Sequence, residues 1–160
     1  MNAGDVVLVR TPDLFGWIIR LGEALRLRRS YAFWNHAAIA VSDRAIVEAT
    51  GRGVRYGRPD EYEARGYAVR VVRSGMGPGG TLAAVEFARG QVGDAYGWAQ
   101  IAADAISCLT GRRLRWRAPR TYICSELVAD ALARGGVRIP SRASFVMPAD
   151  IAAFYRVLAS

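Results

Sequence analysis

The sequence of 160 residues contains no lysine, so all 22 of its basic residues are arginines and its net charge is +8. The exclusive use of arginine, beside abundant alanine and glycine, also matches a GC-rich coding bias. We therefore conclude only that the electric field of the protein favours anionic partners, such as an anionic membrane or cell-wall surface. The sequence has no helix-turn-helix, zinc-finger or RNA-recognition motif, so we predict no specific nucleic-acid binding.

Cysteine and histidine are scarce. Cys108 and Cys124 lie 16 residues apart with no C-x-x-C spacing, and His36 is the only histidine. These residues do not have the spacing of a four-ligand zinc site. A chain of this length buries a core without disulfide or metal staples. We therefore predict no metal site and no disulfide framework.

Long apolar runs are also missing. No window approaches the roughly 18 uninterrupted apolar residues of a membrane span. The opening MNAGDVVLVRTPD has no basic segment followed by an apolar run, so it does not match a secretory signal. We expect a cytoplasmic protein from the sequence as written. The 52% hydrophobic content is typical of a folded chain, and we predict a single domain over residues 1–160.

The hydrophobic pattern predicts strands early in the chain and helices later, which indicates the α+β class. The predicted strands are 5–10, 35–42, 44–50, 53–57 and 67–74. The predicted helices are 12–27, 81–89, 95–109, 125–134 and a last one that begins at Pro148. A helix over 12–27 would be amphipathic.

His36 is predicted to lie on a β-hairpin close to an acceptor. A three-residue loop at 42–44 places His36 opposite Thr50, and His36, Glu48 and Thr50 then project from the same face. A carboxylate or a hydroxyl at this distance orients the imidazole and leaves its other nitrogen to act as a base. Both alternatives stay open. A one-residue change in loop length would turn Glu48 to the opposite face.

Cys124 lies at the predicted start of a helix, in the segment YICSELVADALARGG. A thiol at this position has a lowered pKa because it meets the positive end of the helix dipole. The free N–H groups of the first turn can also stabilise an oxyanion. The alternative is packing, since free cysteine is among the most buried residue types. For Cys108, late in an alanine-rich helix, packing is the only interpretation.

Four segments, taken in order, suggest a family. They are GDVVLVRT, NHAAIAV with IVEATGRGV, GQVGDAYGW, and YICSELVADAL, and the resemblance that they carry covers about residues 4–150. Together they resemble the circularly permuted branch of the NlpC-type papain-like superfamily, within it the YiiX/YebB-like group. The order agrees, because His36 precedes Cys124. The resemblance implies a papain-like fold, with an antiparallel sheet or small barrel packed against helices.

The resemblance also implies roles for individual residues. Cys124 would be the nucleophile, His36 the general base and later acid, and Glu48 the residue that orients the imidazole. Tyr122 and Thr50 are candidate substrate-binding residues, although Tyr122 is as well explained by packing. Asp5 would organise the start of the first strand.

The activity implied by the resemblance is that of a cysteine hydrolase which cleaves an amide or peptide bond through a thioester and needs no cofactor. A cell-wall peptide is the first candidate substrate, reached inside the cell or by a route without a signal peptide. The alternative is a lipid-directed thioesterase or acyltransferase at a membrane surface, favoured by the segment 12–27 and the arginine-rich stretches. The sequence predicts no particular oligomeric state.

Overall fold

The computed structural model describes residues 1–12, 33–98, 119–140 and 146–158. Five strands form an antiparallel sheet in the order β4-β3-β2-β1-β5. They are β1 (Val6–Arg10), β2 (His36–Ala40), β3 (Ile46–Thr50), β4 (Gly53–Gly57) and β5 (Ala68–Val72). Among the described residues, β4 and β5 are the two edges and do not pair, so the sheet is open. The α+β class with an antiparallel sheet is confirmed.

The hairpin between β2 and β3 has the register that a three-residue loop predicts. Ala40 pairs with Ile46 and Ile39 with Val47, and the Val41 N–H donates to the Ala45 carbonyl at 2.9 Å. The loop is stabilised by Ser42, whose Oγ accepts from the Ala45 N–H at 3.0 Å. This register turns Glu48 toward the same face as His36, because side chains alternate along a strand.

The three longer helices cover one face of the sheet, and the short first helix lies on the other face, where its Tyr62 joins a smaller cluster. α1 (Pro59–Glu63) is short; α2 (Pro78–Gly90), α3 (Cys124–Arg134) and α4 (Pro148–Phe154) follow. α3 lies against β2, β3 and α2, and α4 packs on α3. Val6 and Leu8 of β1 belong to the core beneath these helices, whereas Val7 and Val9 belong to a smaller cluster on the other face. Both faces of the central strands are therefore buried, which explains their continuous apolar sequence.

Several predicted boundaries were wrong. α2 begins at Pro78 rather than at a Thr81 cap, because proline is accommodated in the first turn of a helix, where its missing N–H is not needed. The start of the predicted helix 95–109 is a strand: β6 (Ala95–Tyr96) pairs in parallel with β7 (Thr121–Tyr122). This long-range pairing overrides the helical preference of the alanine-rich segment. α1 was not predicted.

Some predictions fall outside the described residues. These are nearly all of the helix 12–27, the remainder of the helix 95–109, and Cys108. Within the described ranges, no helix is both long enough and apolar enough to cross a membrane.

Candidate active site

His36 and Glu48 form a hydrogen-bonded pair across the β2–β3 hairpin. His36 is the first residue of β2, and its Nε2 lies 2.9 Å from Glu48 Oε2. The Glu48 side chain is fully buried and that of His36 is 12% exposed. A buried carboxylate requires compensation by donors or cations, because its desolvation is costly.

Two further side chains supply that compensation. Tyr62 of α1 donates its hydroxyl hydrogen to Glu48 Oε2 at 2.5 Å. Arg55, directly opposite Glu48 on β4, places Nη2 2.8 Å from Oε1 in an ion pair. Gly57 leaves room for the carboxylate, since a Cβ at that position would lie 2.7 Å from Oε1. The carboxylate is therefore held in one position against the imidazole.

Cys124 is the first residue of α3 and is 4% exposed. The His36 side chain and the backbone N–H groups of Ala37 and Ser125 lie close enough to its thiol to act on its pKa. Because Nε2 of His36 faces Glu48, Nδ1 is the ring nitrogen left for the sulfur. The imidazole on β2 thus lies between the sulfur at the start of α3 and the carboxylate on β3, to which it is hydrogen-bonded.

The charges of Cys124, His36 and Glu48 stabilise one another. Burial raises the pKa of the Cys124 thiol, but the hydrogen bond and positive charge of His36, together with the two backbone N–H groups, outweigh burial and lower it. Burial lowers the pKa of His36, but the hydrogen bonds and negative charges of Cys124 and Glu48 raise it to about 10. The favoured state is a thiolate beside an imidazolium, which is the reactive form of a cysteine nucleophile.

The pKa values of Glu48 and Tyr62 move in opposite directions. Burial raises the pKa of Glu48, but the hydrogen bonds from His36 and Tyr62 and the charges of His36 and Arg55 lower it overall. Burial, together with the adjacent Glu48 charge, raises the pKa of Tyr62. Glu48 is therefore an anion that accepts, and Tyr62 a neutral hydroxyl that donates.

The sulfur and imidazole face a cavity of 540 Å³. Cys124 and His36 lie in its wall, which is otherwise formed by aromatic side chains, arginines and small polar residues: Thr11, Asn35, Ala49, Thr50, Gly51, Arg52, Arg55, Tyr62, Arg65, Tyr67, Tyr96 and Trp98. A cavity of this size accommodates a small ligand or one end of a longer one.

Thr50 lies at this cavity and also shapes the turn after β3. Its Oγ1 donates to the Gly53 carbonyl at 3.2 Å and accepts from the Arg52 N–H at 3.3 Å. Glu48, rather than Thr50, contacts the imidazole. Of the two acceptors predicted beside His36, the carboxylate is therefore the one that contacts the ring, and its role as the orienting residue stays a prediction.

The other two sequence candidates lie away from the cavity. Tyr122 is buried in the core, where its ring packs edge-to-face on Phe87 at 6.2 Å, and it does not line the cavity. The position of Tyr122 therefore agrees with packing, the second of the two interpretations of this residue. Asp5 accepts from the Asn2 N–H at 2.7 Å, and its carbonyl accepts from the Ala40 N–H, so it organises the start of β1.

Arg55 and Tyr62 were missed in the sequence. A signal existed for Arg55: a tight turn between IVEAT and GVRYG pairs Thr50 with Gly53 and so places Arg55 opposite Glu48. No comparable signal existed for Tyr62, because its contact with Glu48 depends on the path of the chain through α1.

The described side chains do not fit a metal centre with three or more protein ligands. Among them, no three His, Cys, Asp or Glu side chains are grouped to hold a metal ion. At the site, the Glu48 oxygens are already engaged by the His36 ring, the Tyr62 hydroxyl and the Arg55 guanidinium. We derive no step through a metal.

Comparison with known proteins gives a structural match but no sequence match. No protein-family model matches the chain, and no curated protein matches it significantly. The fold is similar to that of the metalloprotein YiiX from Escherichia coli O157:H7, DUF1105, with a TM-score of 0.62 and 18% sequence identity. The match covers 95% of this chain and 79% of YiiX. The chain thus has a YiiX-like fold.

Proposed function

We propose that this chain is a cysteine hydrolase of the permuted papain-like type, which cleaves an amide or peptide bond through a thioester intermediate. The observation that carries the proposal is that Cys124 and His36 lie together at the wall of the cavity, with the His36 ring hydrogen-bonded to the buried Glu48. The YiiX-like fold and the order of histidine before cysteine support it.

The reaction follows from the positions of the three groups. The Cys124 thiolate attacks the substrate carbonyl carbon, and its oxygen becomes an oxyanion near the N–H groups at the start of α3. The His36 imidazolium gives its proton to the leaving nitrogen, the C–N bond breaks, and a thioester remains. Neutral His36 then takes a proton from water, whose oxygen attacks the thioester. The acid is released and the thiolate is restored.

Glu48 acts on this sequence through His36. Its carboxylate fixes the orientation of the ring and stabilises the imidazolium that must form beside the thiolate. Tyr62 and Arg55 in turn fix the carboxylate and keep it ionised. We assign Glu48 as a positioning residue, because it contacts the imidazole and not the reacting carbonyl.

A cell-wall peptide is the first substrate that we propose, on the strength of the family resemblance. The lipid-directed alternative depends on the segment 12–27, nearly all of which lies outside the described residues, and on the arginine-rich stretches. Turnover of a short peptide containing D-glutamate, compared with sedimentation on anionic liposomes, separates the two. Peptide cleavage without liposome binding supports the peptide hydrolase.

The proposed chemistry is tested by trapping the thioester. The protein is incubated with an activated acyl ester, such as p-nitrophenyl acetate, and quenched in acid for intact-mass measurement. We expect one acetyl group on Cys124 that hydroxylamine removes, retained in Cys108→Ala and lost in Cys124→Ala. Acetylation that persists in Cys124→Ala, or none in the wild type, would contradict the proposal.

A further inference from the structure

Among the described residues that line the active-site cavity, every charged side chain except the Cys124 thiolate is cationic. The cationic side chains are His36, Arg52, Arg55 and Arg65, and none of the described lining residues is an Asp or a Glu. The sequence contains 14 acidic residues, so the lack of acidic residues among these lining positions does not follow from a shortage of acidic residues. A cavity wall of one sign of charge concentrates ligands of the opposite sign.

One of the three arginines is already neutralised. Arg55 pairs with the buried Glu48 at 2.8 Å, and that carboxylate also balances the His36 imidazolium. Within the described ranges, Arg52 and Arg65 take part in none of the ion pairs. Two guanidinium groups at the cavity therefore have no acidic partner among the residues that the structure describes.

Arg52 is carried by a well-fixed turn between β3 and β4. Its N–H donates to Thr50 Oγ1 at 3.3 Å, and the neighbouring Gly51 carbonyl accepts from the Trp98 indole N–H at 3.3 Å. The Trp98 ring covers Gly51 so closely that a Cβ there would lie 2.9 Å from it. The side chain is exposed, but the backbone that carries it is held on both sides.

Arg65 approaches the cavity from the end of α1. Its N–H donates to the Tyr62 carbonyl at 3.1 Å, which ties it to the same residue that anchors Glu48. Tyr67, two residues further on, also lines the cavity. The two unpaired arginines thus come from separate elements, the β3–β4 turn and the end of α1.

From this arrangement we infer that the acyl substrate carries an anionic group, a carboxylate or a phosphate, near the bond that Cys124 attacks, and that Arg52 and Arg65 bind it. The inference rests on the proposed function, since it assigns the substrate class of the same site. Guanidinium groups suit both anions because their paired N–H donors match two oxygens.

The inference is tested with alkylating probes that differ only in charge. N-iodoacetylglycine is the carboxylate probe, N-iodoacetyl phosphoethanolamine the phosphate probe, N-hydroxyethyl iodoacetamide the neutral probe and N-aminoethyl iodoacetamide the cationic probe. In each reaction the Cys124 sulfur forms a bond to the iodomethyl carbon and iodide leaves. The rate ratio of a charged to the neutral probe cancels the fraction of thiolate and reports the charge preference of the cavity.

In Cys108→Ala, where Cys124 is the only thiol, we expect an anionic probe to react faster than the neutral one and the cationic probe slower. Arg52→Gln or Arg65→Gln should each lower the anionic-to-neutral ratio by up to about fivefold, the upper range for one exposed ion pair. The ratio should also fall as salt is raised. Comparing the carboxylate and phosphate probes then identifies which anion the arginines prefer.

Arg44→Gln is the matched control. Arg44 lies in the loop at the far end of the β2–β3 hairpin, with a side chain that is 84% exposed. Its removal changes the net charge by the same amount but should leave the ratio unchanged. An equal fall in Arg44→Gln, or no fall in the double variant of Arg52 and Arg65, would overturn the inference.

The reaction rate with the neutral probe separates failure of the proposed function from failure of the anionic-substrate inference. If Cys124 in the native protein reacts with the neutral probe no faster than a free thiol at neutral pH, the nucleophile assignment itself fails. If Cys124 reacts fast with the neutral probe but the anionic-to-neutral rate ratio does not change in the Arg52 and Arg65 variants, only the inference of an anionic substrate is refuted.

Discussion

The substitution Glu48→Gln tests how strongly the buried carboxylate sustains the imidazolium. Glutamine keeps the size and an acceptor oxygen for Tyr62 but removes the negative charge. Glu48 Oε2 lies 2.9 Å from His36 Nε2, and the Glu48 side chain is fully buried. The variant also leaves the Arg55 cation without its anion, which further disfavours positive charge on the ring.

The expected shift in the His36 pKa follows from Coulomb's law. Two unit charges whose centres are roughly 4 Å apart interact by about 4 kcal/mol at an effective dielectric constant of about 20. Since one pKa unit corresponds to about 1.4 kcal/mol, this amounts to roughly three units, at the upper end of the one to three units usual for adjacent opposite charges. The pKa of His36 is about 10, raised by Cys124 and Glu48 against burial. We expect it to fall by one to three units in the variant.

The assay is NMR of the imidazole group, titrated from acid to alkaline pH. His36 is the only histidine, so one resonance reports the pKa without assignment. Glu86→Gln, at an exposed position on α2, is the matched control. A His36 pKa that stays within about 0.3 unit of the wild-type value in Glu48→Gln would refute the electrostatic role of the carboxylate, since the smallest expected shift is about one unit.

Three further outcomes follow from the surroundings of the carboxylate. Tyr62→Phe removes the donor to Glu48, and urea unfolding should show a loss of about 1.5–3 kcal/mol, the range for a hydrogen bond to a charged group; an unchanged midpoint would contradict it. Gly57→Ala should displace the carboxylate and slow alkylation of Cys124, whereas Gly79→Ala, whose added methyl meets nothing within 4 Å, should not. Because the pKa of Glu48 is lowered from 4.5, its contribution to stability is present above pH 4.5 and lost as pH falls through the lowered value, so acid unfolding should be less steep in Glu48→Gln than in the wild type.

The hairpin that carries the site was predictable because its determinants are local. Two apolar runs flank a loop of three polar residues, and the loop length alone sets the register that places Glu48 beside His36. The start of α3 at Cys124 was predicted to within one residue for the same reason. Local turn chemistry and strand alternation sufficed in both cases.

Contacts between distant segments were not predictable in this way. Tyr62 reaches Glu48 only because the chain turns through α1, and β6 forms only because Ala95–Tyr96 meets Thr121–Tyr122. Tyr122 precedes Cys124 by two residues, yet its ring packs in the core beside Phe87. Nearness in sequence to the nucleophile was therefore a poor guide to nearness in space.

The most direct test of the account is the pH dependence of iodoacetamide alkylation of Cys124, measured in Cys108→Ala so that a single thiol is present. We predict rapid reaction well below the ordinary thiol pKa of about 8.5, and a profile that returns toward this value in His36→Asn. Circular dichroism of both proteins serves as the control that they remain folded during the measurement. A Cys124 that reacts only after unfolding, or a profile that His36→Asn leaves unchanged, would contradict the assignment of Cys124 and His36 as a nucleophile and its base.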